Sequence, residues 1–82
     1  MKNTYNSLEQ LAFMAFMEAA PYIQHPDWVK EIFNKGIRKT GTPEEFMVFL
    51  EEEMVKQKDQ IKKVDLKIYL TYVGKVWRKR FG

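Results

Sequence analysis

Only one stretch of this chain alternates apolar and polar residues as a half-buried strand would, and it has nothing to pair with. Val64, Leu66, Ile68, Leu70 and Tyr72 are interleaved with Asp65, Lys67 and Thr71, a period of two. No second alternating segment occurs, and a lone strand is not stable. Read at about 100° per residue, the same stretch leaves a polar arc of Lys63, Lys67, Thr71, Gly74 and Arg78, with apolar residues around the rest. Ile61 to Phe81 is therefore expected to be a helix. The chain as a whole is expected to be all-α, a compact bundle of about four short helices.

The other helices are marked by their start and stop signals. Ser7 and Gln10 make an S-x-x-Q capping box ahead of a helix that runs to about Ala20, where Pro21 breaks the pattern. Leu8, Leu11, Ala12, Ala15 and Ala19 lie on one side of it, and Phe13, Met14, Phe16 and Met17 spread round the rest. A helix apolar in nearly every direction is expected to sit at the centre of the bundle. Pro21 to Gln24 reads as a connector. A second helix begins near Pro26, with Asp27 in its first turn and Trp28, Val29, Ile32 and Phe33 facing inward. Gly36 reads as its left-handed cap, within a basic loop that runs from Lys35 to Gly41 and carries Lys35, Arg38 and Lys39. The third helix starts at Thr42-Pro43-Glu44-Glu45, an N-cap with Pro at the first position and a capping-box Glu. Phe46, Phe49, Leu50 and Met54 form its inward stripe. Val48 and Val55, seven apart, share a different face with Glu44, Glu51 and Glu52.

Eighty-two residues make a single small domain, with residues 1–6 ahead of the first cap expected to be flexible. An apolar share of 45% and a charged share of 30% suit a folded chain rather than a disordered one. The apolar run Leu11 to Ala20 has Glu9 before it and Glu18 inside it, so it offers neither a signal-peptide core nor a membrane span. A cytoplasmic protein without a membrane partner is expected.

The net charge of +3 is unevenly distributed. From Ile61 to Gly82 there are seven basic residues (Lys62, Lys63, Lys67, Lys75, Arg78, Lys79 and Arg80) against Asp65 alone. Met1 to Asn34 and Lys35 to Gln60 are each slightly acidic. Any electrostatic partner is therefore expected at the C-terminal quarter. On a straight helix, Lys63, Lys67 and Arg78 would lie along a line about 22 Å long at 1.5 Å per residue. Such a line suits a row of phosphates, which Arg side chains grip bidentately. Basic residues also complement the C-terminal end of a helix dipole, but seven in one short segment exceed that need.

The residue inventory offers little for catalysis. With no Cys, one His (His25) and one Ser (Ser7), disulfides, thiolate metal sites and most nucleophilic triads are excluded. Glu51, Glu52 and Glu53 point three ways from a helix and do not converge on one ion. His25 precedes Pro26 with no evident group to orient its ring, and reads as a cap or surface residue. The glycines are dispersed, so there is no phosphate-cradling loop. Neither an enzyme nor a bound metal or cofactor is expected.

Tyr69, Val73 and Trp77 form a Y-x-x-x-[IV]-x-x-x-W spacing followed by basic residues. This nine-residue pattern resembles the last helix of DnaD-like primosomal domains, although Gly74 stands where that pattern has an apolar residue. The resemblance implies DNA binding and contacts with replication proteins through this helix and the tail behind it.

Two functional classes emerge. The first is a small accessory protein that binds nucleic acid through Lys63, Lys67, Lys75, Arg78, Lys79 and Arg80, with Lys35, Arg38 and Lys39 as a secondary basic loop. Its contacts would be directed at phosphates and weakly sequence-specific, because no Asn or Gln stands among these residues to read base edges. The second is a protein-interaction module, an inhibitor or adaptor of the kind phages and plasmids encode, acting through Val48 and Val55. Apolar surface on that face, or on the far side of the first helix, also predicts a homo-oligomer.

Overall fold

The computed structural model describes the backbone of residues 7–81 and the side chains of residues 8–80. The proposed flexible segment 1–6 and the Ser7 side chain of the first capping box lie outside the described residues. Four helices follow one another: α1 (Ser7–Ala19), α2 (Pro26–Lys39), α3 (Pro43–Lys56) and α4 (Gln60–Val76). A single 3-10 turn, Ala20–Tyr22, follows α1, and α4 widens into a π-helical turn over Trp77–Phe81. There is no strand among the described residues, so the alternating segment Val64–Tyr72 is a helix, as its lack of a partner requires.

Among the described residues sixteen apolar side chains form one core, drawn from all four helices and from Ile23 in the connector. On α1 the buried residues are Leu8, Leu11, Ala12, Ala15 and Ala19, all on one side. The three alanines let α4 approach closely, and this pair forms the most extensive helix contact in the molecule. Helix α1 touches every other helix, as the expected central element should, yet it is not enclosed: Phe13 and Met17 are exposed. Helix α4 also touches all the others and supplies the core residue with the most varied contacts. Tyr69 is wholly buried, stacks on Phe33 of α2 at 5.7 Å and meets Phe46 of α3 edge-on at 6.3 Å. Its hydroxyl donates to the Ala12 carbonyl of α1 at 2.8 Å. One side chain thereby fixes the relative positions of four helices.

Two expectations about α2 are corrected. Gly36 is not a left-handed cap: no glycine among the described residues has positive φ, and α2 continues through it to Lys39. The reason for glycine here is the crossing with α3. A Cβ on Gly36 would stand 2.8 Å from ring atoms of both Phe46 and Phe49, so the missing side chain is what lets the two helices meet. The helix ends instead at Thr40, whose backbone N–H and hydroxyl both donate to the Gly36 carbonyl, at 2.9 and 2.8 Å. Accordingly Lys35, Arg38 and Lys39 are not in a loop but on the last turns of α2, where cations complement the dipole.

Helix α3 starts where its cap signal places it. The Thr42 hydroxyl accepts from the Glu45 N–H at 3.1 Å. The Glu45 carboxylate reaches one residue further back than a standard capping box and accepts from the Gly41 N–H at 2.9 Å. Phe46, Phe49 and Leu50 are buried and Met54 is half-buried. Helix α4 has a cap that its sequence pattern did not bring forward, with Asp59 accepting from Ile61 and Lys62 N–H groups at 2.9 and 3.2 Å.

Candidate functional site

The basic end of α4 is built by a helix that must keep one face dry. Leu66, Tyr69, Val73 and Val76 turn inward, so the intervening positions Lys67, Thr71 and Lys75 turn out. Lys67, Lys75, Arg78, Lys79 and Arg80 are exposed and Lys63 is half-buried. None of these six takes part in an ion pair among the described residues. Lys75, Arg78 and Lys79 gather round a shallow groove of about 280 Å³, with Glu18 of α1 as its fourth wall. Helix α4 carries Lys63 and Lys67 and passes at Val76 into the π turn that carries Arg78, whose guanidinium lies 3.8 Å from where a Cβ on Gly74 would stand. Of the six basic residues, Lys75, Arg78 and Lys79 are the ones that share this groove.

The other expected site residues stand apart from this groove. Lys39 lines a second groove with the α3 carboxylates Glu44, Glu45, Glu52 and Glu53, so its charge is offset by its surroundings. Val48 and Val55 are 51% and 80% exposed and border a shallow depression with Glu51, Glu52 and Lys56. Trp77 packs against the core as a half-buried side chain, while Tyr69 and Val73 are wholly buried. The spacing that resembles DnaD-like domains is thus a packing seam in this chain.

One constellation went unrecognised in the sequence. Asp65, 1% exposed, is the one buried charged residue among the described residues. Its Oδ1 accepts from the Gln24 N–H at 3.0 Å and its Oδ2 from the His25 N–H at 2.8 Å. His25 Nδ1 lies 3.0 Å from the same Oδ2, a bond that calls for the Nδ1–H form of the ring. His25 therefore does have an orienting group, contrary to expectation. The carboxylate sits against the entrance of α2, where the helix dipole favours it, and fastens the connector to α4. The only sequence signal was an acid alone in a basic segment. Among the described residues no three His, Asp or Glu side chains gather closely enough to hold a metal ion. No helix of the described residues is long and apolar enough to cross a membrane.

Comparison with known families decides what kind of chain this is. A model described as the MJ1579 family matches residues 6–75. The chain belongs to the MJ1579 family. The match covers α1, α2 and α3 and nearly all of α4, including Asp65, Tyr69 and Val73, and ends before Arg78, Lys79 and Arg80. No curated protein and no solved structure matches the chain. What this MJ1579-family chain does must be read from its own surface.

Proposed function

We propose that the protein binds nucleic acid through the basic end of α4, with contacts directed at phosphates and little sequence preference. The observation that carries this reading is the groove where Lys75, Arg78 and Lys79 converge without forming ion pairs among the described residues. Three like charges held together on a small domain, outnumbering the one carboxylate beside them, favour a polyanionic partner. Glu18 in the same groove opposes that partner.

Fluorescence anisotropy with a labelled duplex across a salt series tests the proposal. Affinity is expected to fall steeply with salt, with a log–log slope near 0.9 per phosphate neutralised. Replacing Arg78, Lys79 and Arg80 together by Ala should flatten that slope by roughly two to three units and leave the thermal melt unchanged. Glu18→Gln should strengthen binding, an outcome that damage to the fold would not produce. Absence of binding to duplex and single strands alike at low salt would overturn the proposal.

The second reading, a protein-interaction module, is favoured by the exposure of Val48 and Val55 on a face rimmed by carboxylates. A nucleic acid would avoid that face. A basic, apolar partner surface would suit it, and Val55→Glu should then abolish the association.

A further inference from the structure

We propose that Tyr22 and Tyr72 form a base-stacking platform beside the basic groove, so that the preferred ligand is a single-stranded nucleic acid. This rests on the nucleic-acid reading above and adds what part of the ligand is recognised. The two rings come from distant parts of the chain. Tyr22 ends the 3-10 turn after α1, and Tyr72 lies on the outer side of α4. Their planes are within 3° of parallel, with centroids 6.0 Å apart. On Tyr72, the Lys75 ammonium stands 5.0 Å from the ring centroid. Tyr22, Tyr72 and Lys75 thus form a continuous aromatic and cationic surface.

Tyr22 is 61% exposed, so its ring covers little of the core and leaves aromatic surface facing water. The surface it adjoins is a groove of about 360 Å³ that Tyr72 and Lys75 help to line. Lys75 also lines the neighbouring groove with Arg78 and Lys79. A base held on the tyrosines would therefore place its phosphates beside Lys75 and the cations that follow it. A duplex cannot use such a platform, because its base faces are already occupied by their neighbours in the stack; an unpaired strand can. The platform is also held in place before any ligand arrives. Two residues after Tyr22 the chain is fastened to α4 through the Gln24 and His25 bonds to Asp65. Little ordering cost then remains to be met on binding.

The test compares oligothymidylate with an abasic strand of the same length, about a dozen nucleotides, which carries the same phosphates and no bases. Anisotropy titrations at low salt are expected to show wild-type protein binding oligothymidylate more tightly than the abasic strand. Tyr22→Leu should weaken oligothymidylate binding about 5- to 100-fold and leave abasic binding unchanged, while Tyr22→Trp should keep the preference. A melt by circular dichroism should find Tyr22→Leu folded, given the exposure of that ring. Equal wild-type affinity for the two strands would overturn the platform and leave the phosphate reading standing. An equal loss on both strands in Tyr22→Leu would also overturn it. Binding to neither strand, nor to duplex, would remove both proposals together.

Discussion

The inner and outer faces of α4 carry polar groups under opposite conditions. On the inner face, Asp65 and Tyr69 are buried, and every hydrogen-bonding atom they offer has a partner: the connector for Asp65, the Ala12 carbonyl for Tyr69. Among the described residues no buried side-chain nitrogen or oxygen is left without one. On the outer face, Lys67, Lys75, Arg78, Lys79 and Arg80 are solvated and form no ion pair among the described residues. A polar group inside a small core is costly unless satisfied, so its presence there fixes how the surrounding segments meet. A charge outside costs almost nothing to keep, and is free to serve a partner. Removing inner groups should therefore cost stability, and removing outer ones should cost binding.

The largest expected effect tests the seam directly. Leu11 of α1, with no exposed surface, belongs to the core that the inner face of α4 helps to form. Leu11→Asp places a charge there with no partner, and a cost above about 4 kcal/mol should unfold a domain of this size. Far-UV circular dichroism is expected to show a largely unfolded chain. A cooperative melt close to wild type would mean that the seam opens to water easily and that the inner face is not the structural one.

Next comes Asp65. Asp65→Leu leaves the Gln24 and His25 donors without their acceptor, at a cost of about 2–4 kcal/mol after partial rescue by water near the exposed edge of His25. Asp65→Asn keeps one carbonyl acceptor and should fall between. Urea midpoints at constant m-value would give the ranking. If Asp65→Leu matched wild type, the connector would not depend on the carboxylate, and the pre-fixed position of Tyr22 would lose its support.

These cases show what the sequence makes legible. The helix boundaries at Pro26 and Thr42 and the exposure of Val48 and Val55 follow from local chemistry, since caps and helical spacing act within a few residues. The charged end of α4 is legible for the same reason. Asp65 is not: its partners lie forty residues away, and within its own segment it reads as one more polar position in an alternating pattern. Gly36 is ambiguous because a cap and a helix crossing both select glycine, and only the neighbouring helix decides between them. The Tyr22–Tyr72 pair is likewise set by tertiary contact, with Tyr22 in a connector whose sequence says little. The aromatic spacing Tyr69, Val73 and Trp77 is legible as a helical seam, but spacing alone reports a buried seam as readily as a binding face.

Gly36 extends the inner-face argument to α2. An alanine in a helix interior would ordinarily stabilise by about 1 kcal/mol over glycine. Here the added Cβ would meet Phe46 and Phe49 at 2.8 Å, and Phe46 has no free surface into which to retreat. Overpacking of this kind costs about 1–3 kcal/mol, so Gly36→Ala should be destabilising by up to about 2 kcal/mol net. A thermal midpoint above wild type would reverse the sign, and would show that propensity outweighs the crossing.

The smallest expected effect isolates one hydrogen bond of the inner face. Tyr69→Phe removes the donor to Ala12 and keeps the ring that contacts Phe33 and Phe46. At neutral pH the loss should be about 0.5–1.5 kcal/mol. Alkaline pH gives a sharper reading. Burial pushes the Tyr69 phenol well above the ordinary tyrosine value, because the phenolate would be dry in the folded state. In the unfolded chain the same phenol ionises near pH 10. Its stabilising contribution is thus complete below about pH 10, and it falls as pH rises above that, where the unfolded chain releases the proton and the folded one retains it. Contributions common to both proteins, that of Tyr72 with its own raised value among them, cancel in the difference. The stability advantage of wild type over Tyr69→Phe, read from urea unfolding at a series of pH values, should therefore be constant to about pH 10, then shrink and reverse. Parallel curves through the alkaline range would show that the phenol reaches water in the folded state, and Tyr69 would then have to be grouped with the outer face.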